Sequence, residues 1–304
     1  MTNISGVKLN KKAQTMDKGA KIFYAILMAL PVLQFVLFYI VVNFQSFGFA
    51  FMDTVETTDN KIVWFFSLKN ITDWFTDPYK VKDLLNATKM SLLYYGVTLC
   101  VSIPLGLLFA YYVFKKMPFA GMFRIFLFIP SIIPAAAFVL TFKYVLNEVT
   151  PILFGSNALR FDTHPVFWII FYNLYVGFGT SVLMYANKMF DISPEVIEAG
   201  KLDGAIGIKE FWHIVLPLTF PTLSVFLVTG VATIFVNQYN VLMFNVSAEF
   251  DSLGKYLYDL AFEATKSERN VPPAAGLGLI LTVIAIPLTF GVKYLLDKYG
   301  PSED

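Results

Sequence analysis

A polar stretch, residues 193 to 221, separates two apolar blocks and carries the side chains best placed to engage something outside the chain. Glu198, Lys201 and Asp203 stand close together in it. Ser193 suits an N-cap, and Pro194 suits the first helical position, where its missing N–H costs nothing. Glu195 follows in the first turn, where a carboxylate favours the positive end of the helix dipole. Asp203-Gly204 marks a turn, with Gly204 free to take the left-handed conformation that ends a helix. A second helix is expected from near Ala205 into Leu216-Pro217. The product is a short helical elbow on a membrane surface, either offering its charges to another protein or joining two spans as an ordinary amphipathic connection.

A second chemistry is written in the apolar blocks. Thr233, Asn237, Asn240 and Phe244 recur at helical spacing, with Gln238 and Tyr239 between them. Amides facing hydrocarbon cost free energy, so this stripe is expected to meet a neighbouring helix or a wet cavity. Farther upstream, Trp168, Tyr172, Tyr175 and Gly179 form another stripe, with Asn173 beside it. Aromatics with amides suit a polyhydroxylated ligand, the rings stacking on C–H faces and the amides bonding hydroxyls. The same residues serve equally as packing and interhelical hydrogen bonds. Asn237, Gln238, Tyr239, Asn240, Tyr172 and Asn173 are the candidate substrate-path residues.

The elements that must position these groups are membrane helices. Of 304 residues, 57% are hydrophobic and 15% charged, and the mean hydropathy is +0.62, outside the range of soluble domains. Six blocks, at roughly 22–44, 90–114, 123–146, 165–186, 216–243 and 274–296, are long enough to cross a bilayer, which takes about 20 apolar residues. The fold class is therefore all-α integral membrane. Residues 1–21 form an amino-terminal segment, 22–296 the six-helix domain, and 297–304 a tail. Within the domain, 45–89 is a long outer loop and 187–215 an inner one. Lys115, Lys116 and Arg124, with no acid among them, put their loop in the cytoplasm by the positive-inside rule. Alternation then places both termini and the elbow on the same side.

Several function classes are excluded or disfavoured. A formal net charge of +1 gives no sign of nucleic-acid binding. Cys100 is alone, and His164 and His213 lack metal-ligand spacing, so neither a metal site nor a catalytic group is expected. No P-loop motif occurs, so no nucleotide cofactor is assigned to this chain. The middles of the six blocks lack the acids, lysines and histidines of an ion relay, which counts against a secondary transporter. A translocator with neither relay nor nucleotide site needs an engine outside itself.

Glu198-Ala199-Gly200, then Asp203-Gly204, then Ile214 and Leu216-Pro217, resemble the EAA motif of bacterial ABC importer permeases, with Gly200 where the motif has its third residue, alanine. Tyr39, Tyr111-Tyr112 and Ala274-Ala275-Gly276 extend the resemblance to the larger, first-type permease of maltose-type sugar importers. The resemblance implies a type I importer permease fold in the bacterial plasma membrane, with the elbow as coupling helix. It also implies a second permease, two cytoplasmic ATPase subunits that use ATP and Mg, and an external solute-binding protein. By that resemblance Glu198, Ala199, Gly200, Asp203, Gly204, Ile214, Leu216 and Pro217 are the ATPase-coupling residues. The cargo is expected to be a sugar or oligosaccharide, with a non-sugar solute as the alternative.

Overall fold

The computed structural model describes residues 18–56 and 62–301. Most of the amino-terminal segment expected over 1–21 lies outside them, as does the end of the tail. Among the described residues, six helices are long and apolar enough to cross a membrane: Lys21–Ala50, Pro78–Phe114, Ala135–Phe154, Pro165–Phe190, Ile208–Thr233 and Glu268–Tyr299. These are called the first to sixth spans below. The first span belongs to a separate unit, residues 1–49, and exposes nearly all of its large apolar side chains. The rest of the chain forms the second unit.

Proline explains most of the irregularity. The helix widens to i→i+5 bonding over Thr98–Ser102, Val145–Val149 and Phe211–Val215, and each widened turn is followed within two residues by Pro104, Pro151 or Pro217. A prolyl ring lacks an N–H and collides with the carbonyl one turn back, and a π-bulge accommodates both defects. The block expected to cross as one span over 123–146 is instead two helices, Ala120–Ile132 and Ala135–Phe154. Ile133 precedes Pro134 and is pushed into the extended region at ψ 132°.

Within the second unit, the helix Ala120–Ile132 crosses the fourth span at Gly179. A Cβ on Gly179 would lie 1.8 Å from the Leu127 carbonyl oxygen, whereas one on Gly177 would meet nothing within 4 Å. Small residues let membrane helices approach this closely. Gly179→Ala is therefore expected to lower the thermal midpoint of the purified protein by several degrees, and Gly177→Ala to leave it unchanged. Equal midpoints for the two variants would contradict this crossing.

The outer loop has structure of its own. Strands β1 (Met52–Glu56) and β2 (Ile62–Phe66) pair antiparallel, with Thr54 opposite Trp64. A helix over Lys69–Thr76 then leads into the second span. Trp74 is buried, its indole N–H donating to the Pro273 carbonyl at 3.3 Å and its ring set edge-on to Tyr256 at 6.1 Å. Gly276 permits this docking, since a Cβ there would sit 2.8 Å from the Asn70 carbonyl oxygen. Burial, assisted by the Asp83 and Asp77 carboxylates, raises the Tyr256 hydroxyl to about 12.

Candidate functional site

The elbow forms as the residue types dictate. Its helix is Pro194–Leu202, with Ser193 extended at the N-cap and Pro194 opening the first turn. The Glu195 carboxylate is held below its ordinary range, by its own backbone N–H first and by the Ser193 hydroxyl second. At the far end the Ala205 N–H bonds the Gly200 carbonyl at 2.8 Å and the Gly204 N–H bonds the Lys201 carbonyl at 3.1 Å. With Gly204 at φ +81° this is a Schellman stop. The next helix begins at Ile208 rather than near Ala205, because Gly207 sits at φ 63°, ψ −121° and reverses the chain first.

The motif residues divide into two groups. Glu198, Ala199 and Asp203 are exposed on the elbow. Gly200 and Ile214 instead meet inside it: a Cβ on Gly200 would lie 2.0 Å from Ile214 Cδ1. The glycine vacates the volume that the isoleucine methyl fills. Leu216 and Pro217 are half-buried at the root of the fifth span. Gly200→Ala is expected to lower the thermal midpoint despite a helix-propensity gain of about 1 kcal/mol. Ile214→Val in the same chain, which removes Cδ1, is expected to restore it.

Three exposed apolar side chains escaped the sequence reading: Leu202 at 89%, Ile206 and Ile208. Together with Glu198, Lys201 and Asp203 they make an apolar surface rimmed by charge, the composition of a protein-docking patch. The signal was present, since these three flank the two glycine turns.

The brace beneath the elbow was also missed. Lys115, just past the end of the second span, donates to both carboxylate oxygens of Glu210 at 2.9 and 3.1 Å. Glu210 is 1% exposed and Lys115 29%. The Tyr111 hydroxyl donates to the Gly207 carbonyl at 2.9 Å, and its ring packs on Phe211 with centroids 5.1 Å apart. Ile197 closes the contact from the elbow helix, within a core that includes Val113, Met189 and Val215. The elbow is thus bolted to the second span as well as being continuous with the fifth.

Between the second, fourth and fifth spans lies a cavity of about 260 Å³, lined among others by Tyr95, Thr98, Ser102, Asn173, Asn237 and Tyr239. Every described residue that lines it is uncharged. The stripe expected over 233–244 does not exist as a helix face, because the fifth span stops at Thr233. The Asn237 side chain captures the Tyr239 N–H at 2.9 Å, and Tyr239 and Asn240 turn left-handed at φ 48° and 59°. Asparagine favours both local capture and this backbone region. A short helix, Val241–Phe244, follows.

The candidate path residues are redistributed accordingly. Asn173 donates to the Ile169 and Tyr239 carbonyls at 2.8 and 2.7 Å, and its Oδ1 accepts from Asn240 at 2.7 Å. Asn173 and Asn240 therefore brace the break, while Asn237 and Tyr239 face the cavity. Gln238 is half-buried and does not line it. Tyr172 is 1% exposed, its ring 5.3 Å from Phe142 and 5.2 Å from Phe244, so it belongs to the aromatic core and not to the cavity wall.

Residues 102–301 match the family described as binding-protein-dependent transport system inner membrane component. The chain belongs to that family. It is similar to the probable ABC transporter permease protein YurN of Bacillus subtilis, 26% identical over 86% of this chain and 92% of the relative. It is likewise similar to the multiple sugar-binding transport system permease protein MsmF of Streptococcus mutans, 23% identical over 85% and 91%. A chain of the bacterial alginate ABC transporter, solved with an alginate pentasaccharide-bound periplasmic protein, has the same fold, with a TM-score of 0.72 and 18% identity over 92% of this chain and 96% of that one.

This inner membrane component is therefore a multi-pass transport protein with a type I importer permease fold. In that fold the elbow, the brace and the cavity fall along one path. Phe211–Val215 continues from the elbow into the fifth span, whose far end breaks at Thr233 beside the cavity.

Proposed function

We propose that the chain is a permease subunit of an ATP-driven importer for a sugar or oligosaccharide, delivered by an external solute-binding protein. The observation that carries this reading is the elbow: an exposed patch of Leu202, Ile206, Ile208 and charged neighbours, on a rigid mount joined to two spans. Such a mount passes a push on the elbow directly to the cavity walls. The elbow faces the cytoplasm, where two ATPase subunits hold it, and a second permease completes the pathway. Closure of the ATPases on ATP moves the elbow and turns the cavity toward the solute-binding protein.

A neutral polyhydroxylated cargo agrees with the cavity. Its wall offers hydroxyls, an amide and tyrosine rings without a cation to hold a phosphate or carboxylate. Asn237 accepts the Tyr239 N–H through Oδ1, and among the described residues its Nδ2 makes no hydrogen bond, leaving that donor for a hydroxyl.

The test is reconstitution of the chain with its second permease, ATPases and binding protein, followed by uptake of labelled oligosaccharides. Uptake should require both ATP and the binding protein. Glu198→Lys, which reverses an exposed charge, should leave the thermal midpoint of the complex alone and cut cargo-stimulated ATP hydrolysis at least tenfold. Ion-driven uptake by this chain alone would overturn the proposal, and wild-type stimulation in the Glu198 variant would remove Glu198 from the docking surface.

A further inference from the structure

The basic loop that argued for orientation contains more than one arrangement. Lys115 is consumed by Glu210. Lys116 and Arg124 are not, and among the described residues neither has a carboxylate at ion-pair distance. Both line a cavity of about 310 Å³ between the end of the second span and the helix Ala120–Ile132, with Val113, Phe119 and Phe190 in its walls. A second cavity of about 300 Å³, lined among the described residues by Leu108, Phe109, Tyr112 and Phe123, lies between the same two helices.

The two cavities are consecutive. Phe109, Tyr112 and Val113 stand at i, i+3 and i+4 on one stripe of the second span, and Lys116 follows in the turn just past its end, so the cationic cavity lies beyond the apolar one toward the elbow end. On the facing helix, Ala120 and Gly121 at its start and Arg124 one turn on line the cationic cavity, and Phe123 lines the apolar one, in edge contact with Tyr112 at 6.0 Å. The turn between the helices is set by its own backbone. Lys116 and Phe119 are left-handed at φ 51° and 62°, and the Tyr112 hydroxyl donates to the Pro118 carbonyl. Both cations are exposed.

We propose that this cleft binds an anionic phospholipid of the leaflet on the elbow side, the phosphate between Lys116 and Arg124 and an acyl chain along Leu108, Phe109, Tyr112 and Phe123. Two unpartnered cations at the mouth of an apolar cleft are the complement of a charged headgroup on a hydrocarbon tail. Basic pockets between spans at a membrane surface favour such headgroups. A polypeptide filling the cleft would have to bring an acid to the same point. The site depends on the membrane topology alone and stands whether or not the elbow takes an ATPase.

The experiment places the assembled complex in nanodiscs of phosphatidylethanolamine with or without phosphatidylglycerol, then reads retained lipid by native mass spectrometry. Wild type should keep phosphatidylglycerol in preference to phosphatidylethanolamine. Lys116→Gln with Arg124→Gln should reduce that retention about 30-fold, two charges at about 1 kcal/mol each. The charge-keeping pair Lys116→Arg with Arg124→Lys should retain it, which separates loss of charge from loss of fold. Equal retention by the wild type and the glutamine pair would overturn the proposal. So would crosslinks from Phe109 or Phe123 to the second permease in the intact complex, since that subunit would then occupy the cleft.

Discussion

Lys115→Met should be the most damaging single change at the elbow, more so than Glu210→Gln. The reason is the asymmetry of the pair: Glu210 is 1% exposed and Lys115 is 29%. Removing the lysine leaves a carboxylate buried among Tyr111, Phe211 and Val215 with no cation. Stranding one member of a buried pair costs about 3–5 kcal/mol. Removing the glutamate's charge leaves an ammonium that can turn to water, at a cost nearer to that of an exposed pair, about 0–1 kcal/mol. Replacing both by methionine removes the stranded charge and should recover most of the stability. The thermal midpoints should therefore order as wild type, then the double variant and Glu210→Gln close below it, then Lys115→Met far below. Transport should follow another order. The double variant, folded but without the bolt between elbow and second span, should hydrolyse ATP with weak dependence on cargo. Normal coupling in that variant would mean that the fifth span alone carries the motion.

What the sequence disclosed was local, and what it concealed was not. The elbow's start and stop are legible because caps act over four or five residues: Pro194 and Gly204 sit where the structure uses them, and Ser193 holds the N-cap position although its hydroxyl makes no cap hydrogen bond to the backbone. The Lys115–Glu210 bond joins residues 95 apart, and no pattern in either neighbourhood names its partner. Hydropathy located the spans but not their breaks. Residues 234–236 and 241–244 are as apolar as any helix, so the turn at Tyr239-Asn240 was hidden between them, although Asn237, Asn240 and Asn245 were the residues to suspect. Tyr172 shows the opposite error. An aromatic at helical spacing reads alike in a cavity wall and in a core, and only the rings of Phe142 and Phe244 around it decide.

The second large effect lies in two glycines of the elbow, and substitution should separate them. Gly204, at φ +81°, closes the Schellman stop. Asparagine visits this region at little cost, alanine costs about 1–2 kcal/mol there, and proline, locked near −65°, cannot enter it. Proline also deletes the N–H that bonds the Lys201 carbonyl. Function at position 204 should therefore decline in the order Gly, Asn, Ala, Pro. Gly207 at φ 63°, ψ −121° occupies a region that side chains of every kind avoid. At 207 asparagine should fail nearly as badly as alanine. Neither glycine has a neighbour within 4 Å of where a Cβ would stand, so any loss at either position comes from the backbone and not from a collision. Cargo-stimulated ATP hydrolysis of the reconstituted complex reads the effect, with the thermal midpoint measured alongside. A complex that keeps full stimulation with Gly204→Pro would show that the reversal after Leu202 is dispensable, and with it the fixed angle between the docking patch and the fifth span.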